Sequence, residues 1–128
     1  MQDKEANRKY IGDSGLRDRS IETDLVPIQT AVYKLAKVGE SLEKDDAGAA
    51  AATLKEAWAD DFASAGDKIA KTPDSKAKLE LIMTAIKGAT EAAGAGNAAG
   101  AKIAFVGAVE AIENWADSTG IAAQLKGL

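Results

Sequence analysis

The sequence contains neither histidine nor cysteine. That excludes Cys/His zinc sites, thiol nucleophiles, a Ser-His-Asp triad, a haem histidine ligand and the Glu-x-x-His pairs of a di-iron bundle, and with them most familiar enzyme mechanisms. The missing cysteine says nothing about redox compartment, because disulfide-free proteins occur everywhere. Proline is confined to Pro27 and Pro73, and there are two each of Trp, Tyr and Phe. Long apolar runs are absent as well. The most apolar stretch, Ile103 to Val109, is bounded by Lys102 and Glu110, well short of the roughly 20 residues a bilayer-spanning helix needs. A basic excess is also lacking: 16 Lys and Arg face 20 Asp and Glu, for a net charge of -4. Phosphate binding calls for concentrated positive charge, so nucleic acid is not an expected partner. No signal or transit peptide is read at the start, and the expectation is a cytosolic protein or a processed mature form.

What the chain does have is alanine. Its 128 residues suit one domain, and 28 of the 59 apolar residues are alanine. Alanine carries the lowest helical cost of any residue, and small side chains let helices sit close together. With so modest a net charge, the composition predicts a folded all-α domain rather than a disordered chain.

Residues 1–23 read as an extended charged N-terminal arm, holding all three arginines and broken by Gly12 and Gly15, and residues 24–128 read as the helical bundle domain. The scattered Tyr10, Ile11, Leu16 and Ile21 suit an arm that docks on a surface; a terminus without fixed structure satisfies the same composition. The first helix is expected from about Leu25 to Lys44, with Thr23 or Asp24 as N-cap and Pro27 in the first turn. Its stripe is Leu25, Ile28, Val32, Leu35, Gly39 and Leu42, where Gly39 implies close approach by a neighbouring backbone. Lys44-Asp45-Asp46 ends it. A second helical region, about Ala47 to Lys71, carries Leu54, Trp58, Phe62, Ala65 and Ile69; it is either continuous or broken near Asp60-Asp61. Thr72-Pro73-Asp74 is a strong restart signal for a helix to about Ala93 that turns Leu79, Ile82, Ile86 and Ala89 inward. Gly94-Ala95-Gly96-Asn97 closes that helix and caps the next, from about Ala98 to Ser118, with Phe105, Val109, Ile112 and Trp115 on one side. Thr119-Gly120 marks its stop, and the tail has room for one or two helical turns. The architecture implied is an up-and-down four-helix bundle with an extended N-terminal arm and a short C-terminal helical tail.

Motifs that suggest chemistry give way to structural readings. Gly94 to Ala99 has the form G-x-G-x-x-A, but a dinucleotide site needs a preceding buried strand, whereas Glu91-Ala92-Ala93 reads as the end of a helix. The acidic pairs Asp45-Asp46, Asp60-Asp61, Glu40/Glu43 and Glu110/Glu113 sit on expected polar faces or helix ends and read as caps, first-turn acids and solvated faces rather than as acid–base pairs. A loosely held cation at Asp60-Asp61 is conceivable, although no EF-hand spacing accompanies it. Trp58 and Trp115 fall on apolar stripes and are expected in the core, with an exposed recognition role for Trp115 as the lesser alternative. Tyr33 lies beside the first stripe, where it covers the bundle rim or faces a partner. No cofactor, metal or small-molecule substrate is expected.

Several segments resemble a known family. Val32-Tyr33-Lys34-Leu35, Lys37-Val38-Gly39, Ala104-Phe105-Val106, Trp115, Thr119-Gly120 and the terminal Gln124-Leu125-Lys126-Gly127-Leu128 resemble the small thylakoid lumen proteins called maintenance of photosystem II under high light in land plants, which have green algal counterparts. The similarity runs in order from about residue 30 to Leu128. It implies residence in the chloroplast thylakoid lumen after removal of a targeting peptide. It also implies a non-enzymatic role in assembly or repair, peripheral to the membrane, through core subunits on the lumenal face of photosystem II. Within that frame the candidate contacts are the arm (Arg8, Lys9, Tyr10, Arg17, Arg19), Tyr33 and the tail (Leu125, Lys126, Leu128), because arginine pairs well with partner carboxylates and apolar ends without a core role can anchor in pockets. A stably bound extrinsic subunit of the oxygen-evolving apparatus, of the Q type, and a generic helical interaction protein are the alternatives.

Overall fold

Side-chain caps set the starts of three of the five described α-helices. The structure, a computed structural model, describes the backbone of residues 14–125 and the side chains of residues 24–125. Among the described residues it is all-α, without strands: α1 (Ser14–Glu43), α2 (Ala47–Leu54), α3 (Trp58–Ile69), α4 (Pro73–Gly94) and α5 (Ala98–Thr119), followed by a 3-10 turn, Ala122–Gln124. Asp46 caps α2 by accepting from the Ala49 N–H at 3.0 Å. Thr72 and Ser75 form a reciprocal capping box at α4, with Pro73 just inside, where its missing N–H costs nothing. Asn97 caps α5 through the Gly100 N–H, and Gly120 ends it in the left-handed conformation at φ 80°. These boundaries agree with the sequence reading to within a residue or so.

Two boundaries differ from it. α1 begins at Ser14, ahead of the expected Leu25, so residues 14–23 are helical where an extended arm was expected and Pro27 lies inside the helix. Leu16, Arg17, Arg19 and Glu22 are adequate helix formers, and Ile21 stands one turn before Leu25, in phase with the stripe. Pro27 therefore forfeits one backbone bond without ending the helix. The second correction concerns the break between α2 and α3, which falls at Lys55–Ala57 and not at Asp60-Asp61. Asp60 and Asp61 occupy the first turn of α3, where carboxylates favour a helix through its dipole. Trp58 braces the break from the other side by donating its indole N–H at 2.6 Å to the Thr53 carbonyl, which also accepts the Glu56 N–H at 3.2 Å.

α4 and α5 form the most extensive helix pair; α1 packs on α2, α3 and α5, and α2 and α3 also meet α4. The core between them is built from Ile28, Leu35, Val38 and Leu42 of α1, Leu54 of α2, Trp58 and Phe62 of α3, Leu79, Ile82 and Ile86 of α4, and Ile112 and Trp115 of α5. Each such side chain contributes about 1.5–3 kcal/mol by leaving water. Phe62 meets Trp115 edge to face, ring centres 5.7 Å apart. Both tryptophans are buried, so the recognition role considered for Trp115 is set aside. Alanine sets the spacing of the α4/α5 seam, where Ala89, Ala93, Ala101 and Ala108 are all buried. Gly39 is a point of close approach, but to a ring: a Cβ there would lie 2.7 Å from Cζ of Phe105, so the side chain of α5, not its backbone, fills the space.

Candidate docking surface

Each sequence-selected residue has a definite standing. Arg8, Lys9, Tyr10, Lys126 and Leu128 lie outside the described residues. Arg17 and Arg19 fall on the first turns of α1, beyond the described side chains. Tyr33 is 56% exposed on the outer face of α1. Leu125 is only 8% exposed and packs with the core beside Ile121. That corrects the expectation that the tail has no core role, because the turn after Gly120 folds the chain back and directs Leu125 inward.

The surface the structure adds is on α5. Ile103 and Val106 are 76% and 52% exposed, an unusual placing for branched apolar side chains on a helix whose opposite face is already buried. A groove of about 530 Å³ runs along one side of them, between α1 and α5, lined by Ala36, Gly39, Glu40, Leu42, Glu43, Lys102, Phe105 and Val106. A second groove of about 340 Å³ lies between α4 and α5 and includes Lys78, Leu81, Gly107 and Glu110; Leu81 is 63% exposed. Gly39 and the Phe105 ring packed over it form part of the wall of the α1/α5 groove. One signal was available in the sequence: Ile103 and Val106 fall off the Phe105/Ile112 stripe and share a face with Glu110. It was submerged in the reading of Ile103 to Val109 as a single apolar run.

Ion pairs tie the rim together without building a reactive centre. Lys102 reaches Asp45 at 2.9 Å, linking α5 to the turn after α1, and Lys78 reaches Asp74 at 2.7 Å within α4. Asp45 adopts φ 55°, a left-handed conformation that aspartate tolerates. Lys34 pairs with Glu56 at 2.6 Å and holds that carboxyl below its ordinary value, chiefly through their hydrogen bond, which outweighs an opposing desolvation cost with further help from the charges of Lys34 and then Lys37. Among the described residues no three His, Cys, Asp or Glu are grouped to hold a metal, the Asp60-Asp61 turn included. Gly94–Asn97 forms the turn between α4 and α5, as its helical context requires. No described helix is long and apolar enough to cross a membrane.

The family model described as Maintenance of Photosystem II under High light 2 matches residues 26–128. The chain belongs to this family. Its matched segment takes in α1 from Val26 onward, all of α2 to α5 and both grooves. The chain is also 28% identical over 129 residues to the thylakoid lumenal 16.5 kDa protein, chloroplastic, of Arabidopsis thaliana. That alignment covers 98% of this chain and 57% of the relative, so the chain spans little more than half the relative's length. Family and relative together place the chain in the chloroplast thylakoid lumen, in a photosystem II-related role.

Proposed function

We propose that this chain is a non-enzymatic lumenal factor that docks on core subunits at the lumenal face of photosystem II, peripheral to the membrane, and assists assembly or repair under high light. The family match over residues 26–128 carries the reading, since the family's description names maintenance of photosystem II under high light. The surface supports it: the described groups that stand out are exposed apolar side chains beside grooves, which suit recognition of a protein. In this reading the fold is an up-and-down four-helix bundle, with α2 and α3 serving as one interrupted element. Arg8, Lys9, Tyr10, Arg17, Arg19, Tyr33, Lys126 and Leu128 supply contacts outside the core; Leu125 is withdrawn from that set by its burial.

Capture on the immobilised full-length chain tests this directly, with solubilised photosystem II from illuminated thylakoids as the prey. Photosystem II is expected among the retained proteins. Reversing the arm charges (Arg8→Glu, Lys9→Glu, Arg17→Glu, Arg19→Glu) is expected to weaken capture and to reduce its salt dependence. Unchanged capture removes the arm from the set of contacts. Recovery of the protein in equal amount with fully active dimeric photosystem II replaces the transient factor by the extrinsic-subunit reading.

A further inference from the structure

The charges around the α5 grooves are unbalanced in one sense. In the α1/α5 groove the one lining cation, Lys102, is paired with Asp45, which does not line the groove. In the α4/α5 groove Lys78 is likewise paired with Asp74, outside the lining. Glu40 and Glu43 on the first rim and Glu110 on the second are exposed and have no hydrogen-bond or ion-pair partner among the described residues. Both lining cations are therefore ion-paired from outside, while the three lining carboxylates carry no ion pair, Lys37 and Lys44 being the cations nearest to Glu40 and Glu43 along the chain. Between them stand Ile103 and Val106, with Leu81 across the second groove, all more than half exposed.

We infer that this face of α5 is the docking site for a basic amphipathic segment of a partner protein. Apolar side chains of that segment seat in the two grooves beside Val106 and Ile103, and its lysines or arginines meet Glu40, Glu43 and Glu110. The sign of the charge selects against the other candidates, because an anionic lipid surface or an acidic peptide would be repelled by the same three carboxylates. A second copy docked face to face would bring the same three carboxylates against these. The inference rests on the reading above, in which the partner belongs to photosystem II, and it specifies where on this chain the contact lies and what chemistry the partner brings.

Two synthetic amphipathic helices test the chemistry without knowledge of the partner. They share one leucine stripe of about 18 residues, which is about 27 Å of helix, and carry lysine or glutamate at every other position. Each is titrated into the isotopically labelled full-length chain. The lysine peptide is expected to bind more weakly as salt rises, moving the amide signals of α5 and of α1 near Glu40, while the glutamate peptide leaves the spectrum unchanged. In the exposed-surface variant Glu40→Lys/Glu43→Lys, affinity for the lysine peptide is expected to fall about tenfold or more. Equal binding of both peptides, no binding of the lysine peptide, shifts confined to α3, or self-association through α5 would each overturn the inference. Photosystem II capture by the same variant separates this inference from the reading beneath it. Loss of capture supports both. Equal capture by wild type and variant overturns the docking site alone, and no capture by wild type overturns the photosystem II reading while the peptide result still decides the chemistry of the groove.

Discussion

Trp58 and Trp115 are similar in size and burial but differ in one atom's surroundings. The Trp58 indole N–H donates to the Thr53 carbonyl at 2.6 Å, whereas Nε1 of Trp115 is buried without a partner among the described residues. Replacing either by phenylalanine removes comparable volume, but at Trp58 it also removes a hydrogen bond worth about 0.5–1.5 kcal/mol, the Thr53 carbonyl keeping only its bond from the Glu56 N–H, and at Trp115 it removes an unsatisfied donor. Trp58→Phe should therefore lower stability to urea more than Trp115→Phe, by about 1 kcal/mol. Equal losses would mean that the Trp58 bond contributes nothing. Gly39 offers a second test at this scale. An alanine there gains about 1 kcal/mol of helix propensity but drives a methyl group into the Phe105 ring, at a cost of about 1–3 kcal/mol. Gly39→Ala is expected to be destabilising in the native background and stabilising beside Phe105→Leu, as a double-mutant cycle would reveal.

At the level of elements, stability depends on the caps and on the proline in α1. Thr72→Ala removes the side chain that holds the Ser75 N–H and should cost about 1 kcal/mol in thermal or urea unfolding. Pro27→Ala restores a helical N–H inside α1 and should raise both helicity and melting temperature, since an interior proline costs about 3 kcal/mol relative to alanine. Lower stability in that variant would show that residues 14–23 do not continue the helix. The same elements indicate what the sequence makes legible. Thr72-Pro73-Asp74, Gly94 to Asn97 and Thr119-Gly120 are local signals whose side chains act within three or four residues, and each appears in the structure where the sequence puts it. Pro27 resembled a first-turn signal because a proline there is cheap, and only the phase of Ile21 argued otherwise. The break before Trp58 depends on a side chain reaching back five residues to a carbonyl, which spacing alone does not disclose. The grooves were least legible, since they exist only once α1 and α4 lie on either side of α5.

For the whole molecule, the setting is a lumen that acidifies in the light. With no histidine, any response must come from carboxylates. The one described carboxyl with a resolved displacement is Glu56, held below the ordinary glutamate value of 4.5. A depressed folded-state pKa contributes stability above the unfolded value, and that contribution is lost as pH falls through the folded one. The Lys34–Glu56 pair thus stays intact between about pH 7.5 and 5.5 and fails only below the normal glutamate range. Thermal melts are expected to coincide at those two values and to drop below about pH 4, with a smaller drop in Glu56→Gln. A large difference between pH 7.5 and 5.5 would point to a group this surface does not contain. The proposed role in maintaining photosystem II from the lumen is read out by recovery after light stress. Cells lacking the protein should regain photosystem II photochemistry more slowly after high light than cells in which the wild-type chain is restored, with no difference in low light. Recovery at the same rate with and without the protein would contradict the account.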